Sequence, residues 1–136
     1  MIQQGATTIF KLNLLNGVED FTTDTYKLAL YTALADLGPT TTAYTTTDEI
    51  TGTGYVAGGN TLTNVVPAAS DSVAYISFLN VTWDPASFTA RGALIYNSTT
   101  GAAVAVLDFG SDKTASNTFT VTFPTATASD AIIRLS

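Results

Sequence analysis

Histidine and cysteine are both absent from the chain. Losing histidine removes the side chain that most often serves as general base, proton shuttle and metal ligand near neutral pH. Losing cysteine removes disulfides and thiolate chemistry, so Ser-His-Asp, Cys-His and zinc sites are all excluded by composition. Charge is scarce as well, at 12% against about 25% in an ordinary domain. Only five residues are basic, Lys11, Lys27, Arg91, Lys113 and Arg134, and they are scattered along a chain of net charge −6. Binding nucleic acid through its phosphates needs clustered Lys and Arg, so that partner is not expected. No apolar run approaches the length of a membrane span, and the first residues lack a basic start followed by an apolar core, so neither a membrane nor a secretory signal is expected.

Threonine, serine, asparagine and glycine supply the polarity instead. Threonine suits the solvent side of a strand, because its branched Cβ fits the pleat and its hydroxyl can pair across strands. A surface with few long charged side chains is cheap to dehydrate, which favours contact with another protein. At 136 residues the chain matches a single domain of common size and needs no covalent staple.

The stretch from Ala74 to Phe123 carries the single Trp and reads as a series of strands and turns. Ala74 to Trp83 is apolar and β-branched up to the breaker Asp84-Pro85. Ala93–Tyr96, Ala103–Phe109 and Thr118–Phe123 follow, bounded by turn residues. Thr118 to Phe123 alternates, placing Phe119, Val121 and Phe123 on one face and Thr118, Thr120 and Thr122 on the other. Asn97 to Gly101 has hairpin-loop chemistry and Gly110 to Lys113 that of a turn. Earlier, Thr8 is placed to cap a short helix over Ile9 to Asn16 that ends at Gly17. Thr25 to Thr32 reads as a strand, and Ala131 to Leu135 as the last one. From Asp36 to Asn64 the chain makes a long Thr- and Gly-rich excursion, with short strands near Tyr55-Val56 and Thr61 to Val65. The sum is an all-β chain, a jelly-roll-like antiparallel β-sandwich with one short N-terminal helix. Residues 1–8 are expected to be a flexible arm and residues 9–136 a single sandwich domain.

Motifs with chemical content are few. Gly52-Thr53-Gly54-Tyr55-Val56-Ala57 fits a dinucleotide fingerprint, but no good strand precedes it and Gly58-Gly59-Asn60 cannot open a helix, so turn glycines are the better reading. Asp48-Glu49 and the pair Asp108 and Asp112 could ligate a hard cation, yet neither has the full ligand spacing, so no metal and no cofactor are expected. Asn80-Val81-Thr82 and Asn97-Ser98-Thr99 match the glycosylation pattern by chance in an Asn/Thr-rich chain. Arg91 is expected to be a salt-bridge donor at a strand edge. Trp83, Tyr44, Tyr55, Tyr75 and Tyr96 are expected in packing rather than in a sugar platform.

The succession Phe10-Lys11 to Leu14-Leu15-Asn16-Gly17, Asp24 to Thr32, Thr41-Thr42-Ala43-Tyr44, Gly52 to Gly59 and Arg91 to Tyr96 resembles small virion structural proteins of tailed bacteriophages, of the head decoration or cement type. The resemblance covers nearly the whole chain from Phe10. It implies a passive, non-enzymatic protein at the head surface of a virion, with the major capsid protein and further copies of itself, as a dimer or trimer, for partners. The alternative it leaves open is a phage tail or fibre structural module, with or without carbohydrate or receptor binding. Contact is expected from the arm at Ile2, Gln3, Gln4 and Thr7, and from the excursion at Tyr44, Thr46 and Tyr55. Removing Met1 to Ile9 is expected to weaken attachment and leave the fold intact.

Overall fold

A long hairpin is the spine of the computed structural model, which describes residues 1–64 and 66–135. In chain order the elements are β1 (Gly5–Ala6), α1 (Thr8–Leu15), β2 (Tyr26–Tyr31), β3 (Asn60–Thr61), β4 (Ala68–Ser70), β5 (Val73–Ile76), β6 (Val81–Trp83), β7 (Phe88–Asn97), β8 (Ala103–Ala115), β9 (Phe119–Val121) and β10 (Ile133–Leu135). The spine is β7 and β8, turned at Gly101, whose φ of +83° suits glycine and whose N–H bonds the Asn97 carbonyl at 2.7 Å. A five-stranded sheet of order β1-β8-β7-β2-β3 forms one layer, and a three-stranded sheet β10-β5-β4 with a two-stranded sheet β6-β9 forms the facing one. All pairings between these strands are antiparallel, so the chain is the expected all-β sandwich with one short helix.

Both faces of the large sheet are covered, and β2 shows why its sequence is apolar almost throughout. Tyr26, Leu28 and Leu30 point into the main core with Ile76, Phe78, Trp83, Phe119 and Phe123. Ala29 and Tyr31 point the other way, into a second cluster with Ile2, Ala35, Leu37, Leu94, Tyr96 and Val106. Each fully buried Leu or Val here contributes roughly 1.5–3 kcal/mol relative to exposure, so a register slip of one residue would cost several. In β9 and the residues beside it the expected alternation holds: Phe119, Val121 and Phe123 are buried, and the threonines between them are exposed.

The second cluster is closed by the N-terminal segment. Expected to be a free arm, it lies along the body: Ile2 is buried and bridges Leu37, Gln3 N bonds Leu37 O at 2.8 Å, and the terminal amine bonds Ala35 O at 3.1 Å. Ile2 packs where Gly92 has no side chain; a Cβ there would meet Ile2 Cδ1 at 2.8 Å. Thr7, not Thr8, is the helix N-cap: its hydroxyl accepts from Phe10 N at 3.2 Å. Helix α1 then sets Phe10 into the main core.

Four further expectations change. The run Ala74 to Trp83 is two strands, because the chain crosses between sheets at Ser77 to Asn80, where the buried Ser77 hydroxyl donates to Pro124 O at 2.8 Å. Gly110 to Lys113 does not reverse the chain. The register jumps from Gly92↔Asp108 to Ala90↔Lys113, so the intervening residues of β8 form a large bulge, with Gly110 at φ +80°. Tyr55-Val56 is not a strand. The expected strand at Thr61 to Val65 begins one residue earlier as β3, with Asn64 bridging Phe78 beyond it, while Val65 lies outside the described residues.

Candidate functional site

The excursion between β2 and β3 is held by one carboxylate. Glu49 Oε1 accepts from the Tyr44 hydroxyl at 2.6 Å, and Oε2 accepts from the Tyr55 hydroxyl at 2.6 Å and from Gly58 N at 2.8 Å. The Tyr55 oxygen itself accepts from Leu30 N at 2.9 Å, tying the excursion to β2. Tyr96 donates to Gly58 O at 2.7 Å, Tyr31 donates to Thr45 O at 2.6 Å, and the Tyr44 and Tyr96 rings stack at 4.7 Å. Burial pushes the hydroxyls of Tyr31, Tyr44, Tyr55 and Tyr96 up, and the Glu49 charge adds to each. Phenols held protonated act here as hydrogen-bond donors, and both oxygens of the Glu49 carboxylate are engaged as acceptors. The cluster is a clasp.

A second polar knot sits at the turn of the β7–β8 hairpin. Asn97 is fully buried, and its amide donates to Glu19 Oε2 at 3.0 Å and Asp24 Oδ2 at 2.8 Å, while its oxygen accepts from Thr99 N at 2.9 Å. Tyr26 donates to the same Glu19 oxygen at 2.8 Å; burial, then the Glu19 hydrogen bond, pushes its hydroxyl up. In the sequence Asn97 stands out as the start of a hairpin loop and as part of a chance glycosylation pattern. Its carboxylate partners lie more than 70 residues away, and no local signal joins them.

Of the residues expected to make contacts, Gln3, Gln4 and Thr46 are exposed and Tyr44 and Tyr55 are partly so, their hydroxyls spent on Glu49. Ile2 and Thr7 are interior, one filling the second cluster and the other capping α1 and bonding the Ala103 and Val104 carbonyls, so neither is presented to a partner. Gln4 Oε1 accepts from Asp108 N at 3.1 Å. Arg91 meets Asp108 at 3.5 Å, the salt bridge expected, but it does so from the interior of β7, the central strand of its sheet, and not from an edge. Trp83 and Tyr96 are buried, and Trp83 packs against Tyr55, Phe88 and Phe119. The fingerprint glycines are turn residues: Gly54 has φ +87°, and a Cβ on it would fall 1.8 Å from Pro85 O. Among the described residues no three Asp or Glu side chains gather where they could hold a metal ion, and no helix is long and apolar enough to cross a membrane.

What remains open to a partner is surface. Large apolar side chains stand in solvent at Leu15, Leu34, Val56, Val66 and Leu79. Exposed threonines pair across strands, Thr82 with Thr120 at 3.0 Å and Thr89 with Thr114 at 2.8 Å, uncharged contacts that need no counter-charge. No protein-family model matches the chain, and neither the curated proteins nor the solved structures contain a match to it.

Proposed function

We propose that the chain is a passive fastener of a tailed-bacteriophage particle: a capsid decoration, or cement, protein that binds the outside of the major capsid protein lattice and stabilises the head. The supporting observation is the exposed surface, poor in charge and dotted with large apolar side chains, Leu15 at 86%, Leu34 at 79% and Val56 at 76% exposure. Such groups gain free energy when a neighbour covers them. The polar clusters work in the same direction, since the tyrosines around Glu49 and the carboxylates around Asn97 are engaged in holding loops and not aimed at a substrate. Repeated over a lattice, contacts of about 1,200–2,000 Å² each would hold firmly without exceptional affinity at any one.

A tail or fibre module that binds carbohydrate would use an open aromatic platform, and burial of Trp83 and Tyr96 speaks against that version. The test is to mix the purified chain with undecorated heads and image them by electron microscopy. Regular density over the outer lattice, in hundreds of copies, is the expected result; no density on the head, or a dozen copies or fewer on the tail, overturns the reading.

A further inference from the structure

A cleft of about 520 Å³ opens over β1 and β8, between α1 on one side and β10 on the other. Ala6, Ala105 and Leu107 contribute its floor, and Phe10 and Leu14 of the helix form one wall. Ile132, Ile133, Arg134 and Leu135 all border it. In a strand successive side chains point to opposite faces, so the three consecutive β10 residues Ile133, Arg134 and Leu135 along one cleft mean that it follows the strand's edge. That edge is free: β10 pairs with β5 alone, and on its other side no strand of the described residues meets it. A smaller apolar hollow of about 120 Å³ shares Phe10, Leu14, Ile133 and Leu135 with the cleft. The charge of the lining is the reverse of the chain's. Lys11 and Arg134, two of only five basic residues, border the cleft, and no Asp or Glu does, although the molecule carries −6.

We propose that this cleft binds an extended peptide segment that adds as a strand to the edge of β10, turns alternate apolar side chains toward Phe10, Leu14 and Leu107, and places carboxylates near Lys11 and Arg134. Main-chain hydrogen bonds to a free edge supply affinity in this mode, and the pockets for alternate side chains supply selection. The cation pair selects an acidic segment over a neutral or basic one. The assembly reading above enters only for the source of the segment, which would then be a neighbouring virion protein; the chemistry of the cleft does not depend on it.

The probe is a dye-labelled seven-residue peptide of alternating valine and threonine with glutamate at both ends, titrated into the whole chain and followed by fluorescence polarisation and amide chemical shifts. Saturable binding is expected, with shifts confined to residues 4–6, 10–14 and 132–135. The same peptide ended in lysine is expected to bind at least tenfold more weakly. The exposed double substitution Lys11→Glu with Arg134→Glu, checked for folding by circular dichroism, is expected to reverse that preference. Methylating the peptide's edge-facing amide nitrogens is expected to abolish binding. Charge-blind binding, shifts elsewhere, no binding, or concentration-dependent self-association that moves the same amides without peptide, which would put a second copy in the cleft, each overturn the proposal. Heads that decorate normally while the peptide fails to bind reject the cleft alone; peptide binding without head attachment rejects the assembly reading alone.

Discussion

The Tyr55 hydroxyl donates to Glu49 Oε2 at 2.6 Å and, on the same oxygen, accepts the N–H of Leu30 at 2.9 Å. One phenol therefore satisfies a carboxylate of the excursion and a buried amide of β2 together. Tyr55→Phe removes both bonds and strands the Leu30 N–H, since Leu30 is fully buried. An unsatisfied buried group costs about 1–3 kcal/mol. The midpoint of urea unfolding is expected to fall accordingly with the slope unchanged, whereas Val56→Ala on the exposed tip beside it is expected to move it by less than about 0.5 kcal/mol.

Asn97 donates to two carboxylates that would otherwise repel each other. Asn97→Asp replaces the donor with a third negative charge at a site with no exposure, and a loss of at least about 3 kcal/mol is expected. Asn97→Ala is expected to cost less, because it removes the bonds without adding charge. Thermal unfolding of the two variants side by side checks the order; equal melting temperatures would contradict the role given to the amide.

High pH is expected to unfold the chain cooperatively. Burial raises the hydroxyls of Tyr26 and Tyr31 far above their ordinary value near 10, with Glu19 and Glu49 adding to the effect. A group whose folded value is raised contributes stability that is intact below the unfolded value and is lost as pH climbs from there toward the folded one. Each such tyrosine costs about 1.4 kcal/mol per pH unit above 10, so the two together remove about 3 kcal/mol by pH 11, a large part of a typical 5–15 kcal/mol. Absorbance of tyrosinate followed together with circular dichroism is expected to show ionisation and unfolding in one step.

Deleting residues 1–6 is expected to weaken the fold itself, contrary to what a free arm would do. Ile2 closes the cluster around Tyr31, Leu37 and Leu94, and the backbone of the segment pairs with Leu37 and with Val106 of β8. Ile2→Ala alone is expected to cost about 2–4 kcal/mol through the cavity left over Gly92. A melting temperature unchanged by the deletion would show that the segment is dispensable.

Local patterning carried the element types. The i, i+2 alternation at Phe119, Val121 and Phe123, the glycine-ended loop after Asn97 and the threonine cap of a two-turn helix each depend on a few adjacent residues, and each is where the sequence places it within a residue or two. Composition went further, since a chain without histidine or cysteine cannot assemble a Ser-His-Asp or Cys-His set in any fold. The tertiary structure decided what covers what. Ile2 over Gly92, Glu49 between two tyrosines, Asn97 between Glu19 and Asp24, and the bulge that keeps Gly110 to Lys113 within a strand all depend on which distant segments meet. Periodicity shows that a face is apolar but not which partner covers it, because burial rewards any apolar neighbour and only the closed chain selects one.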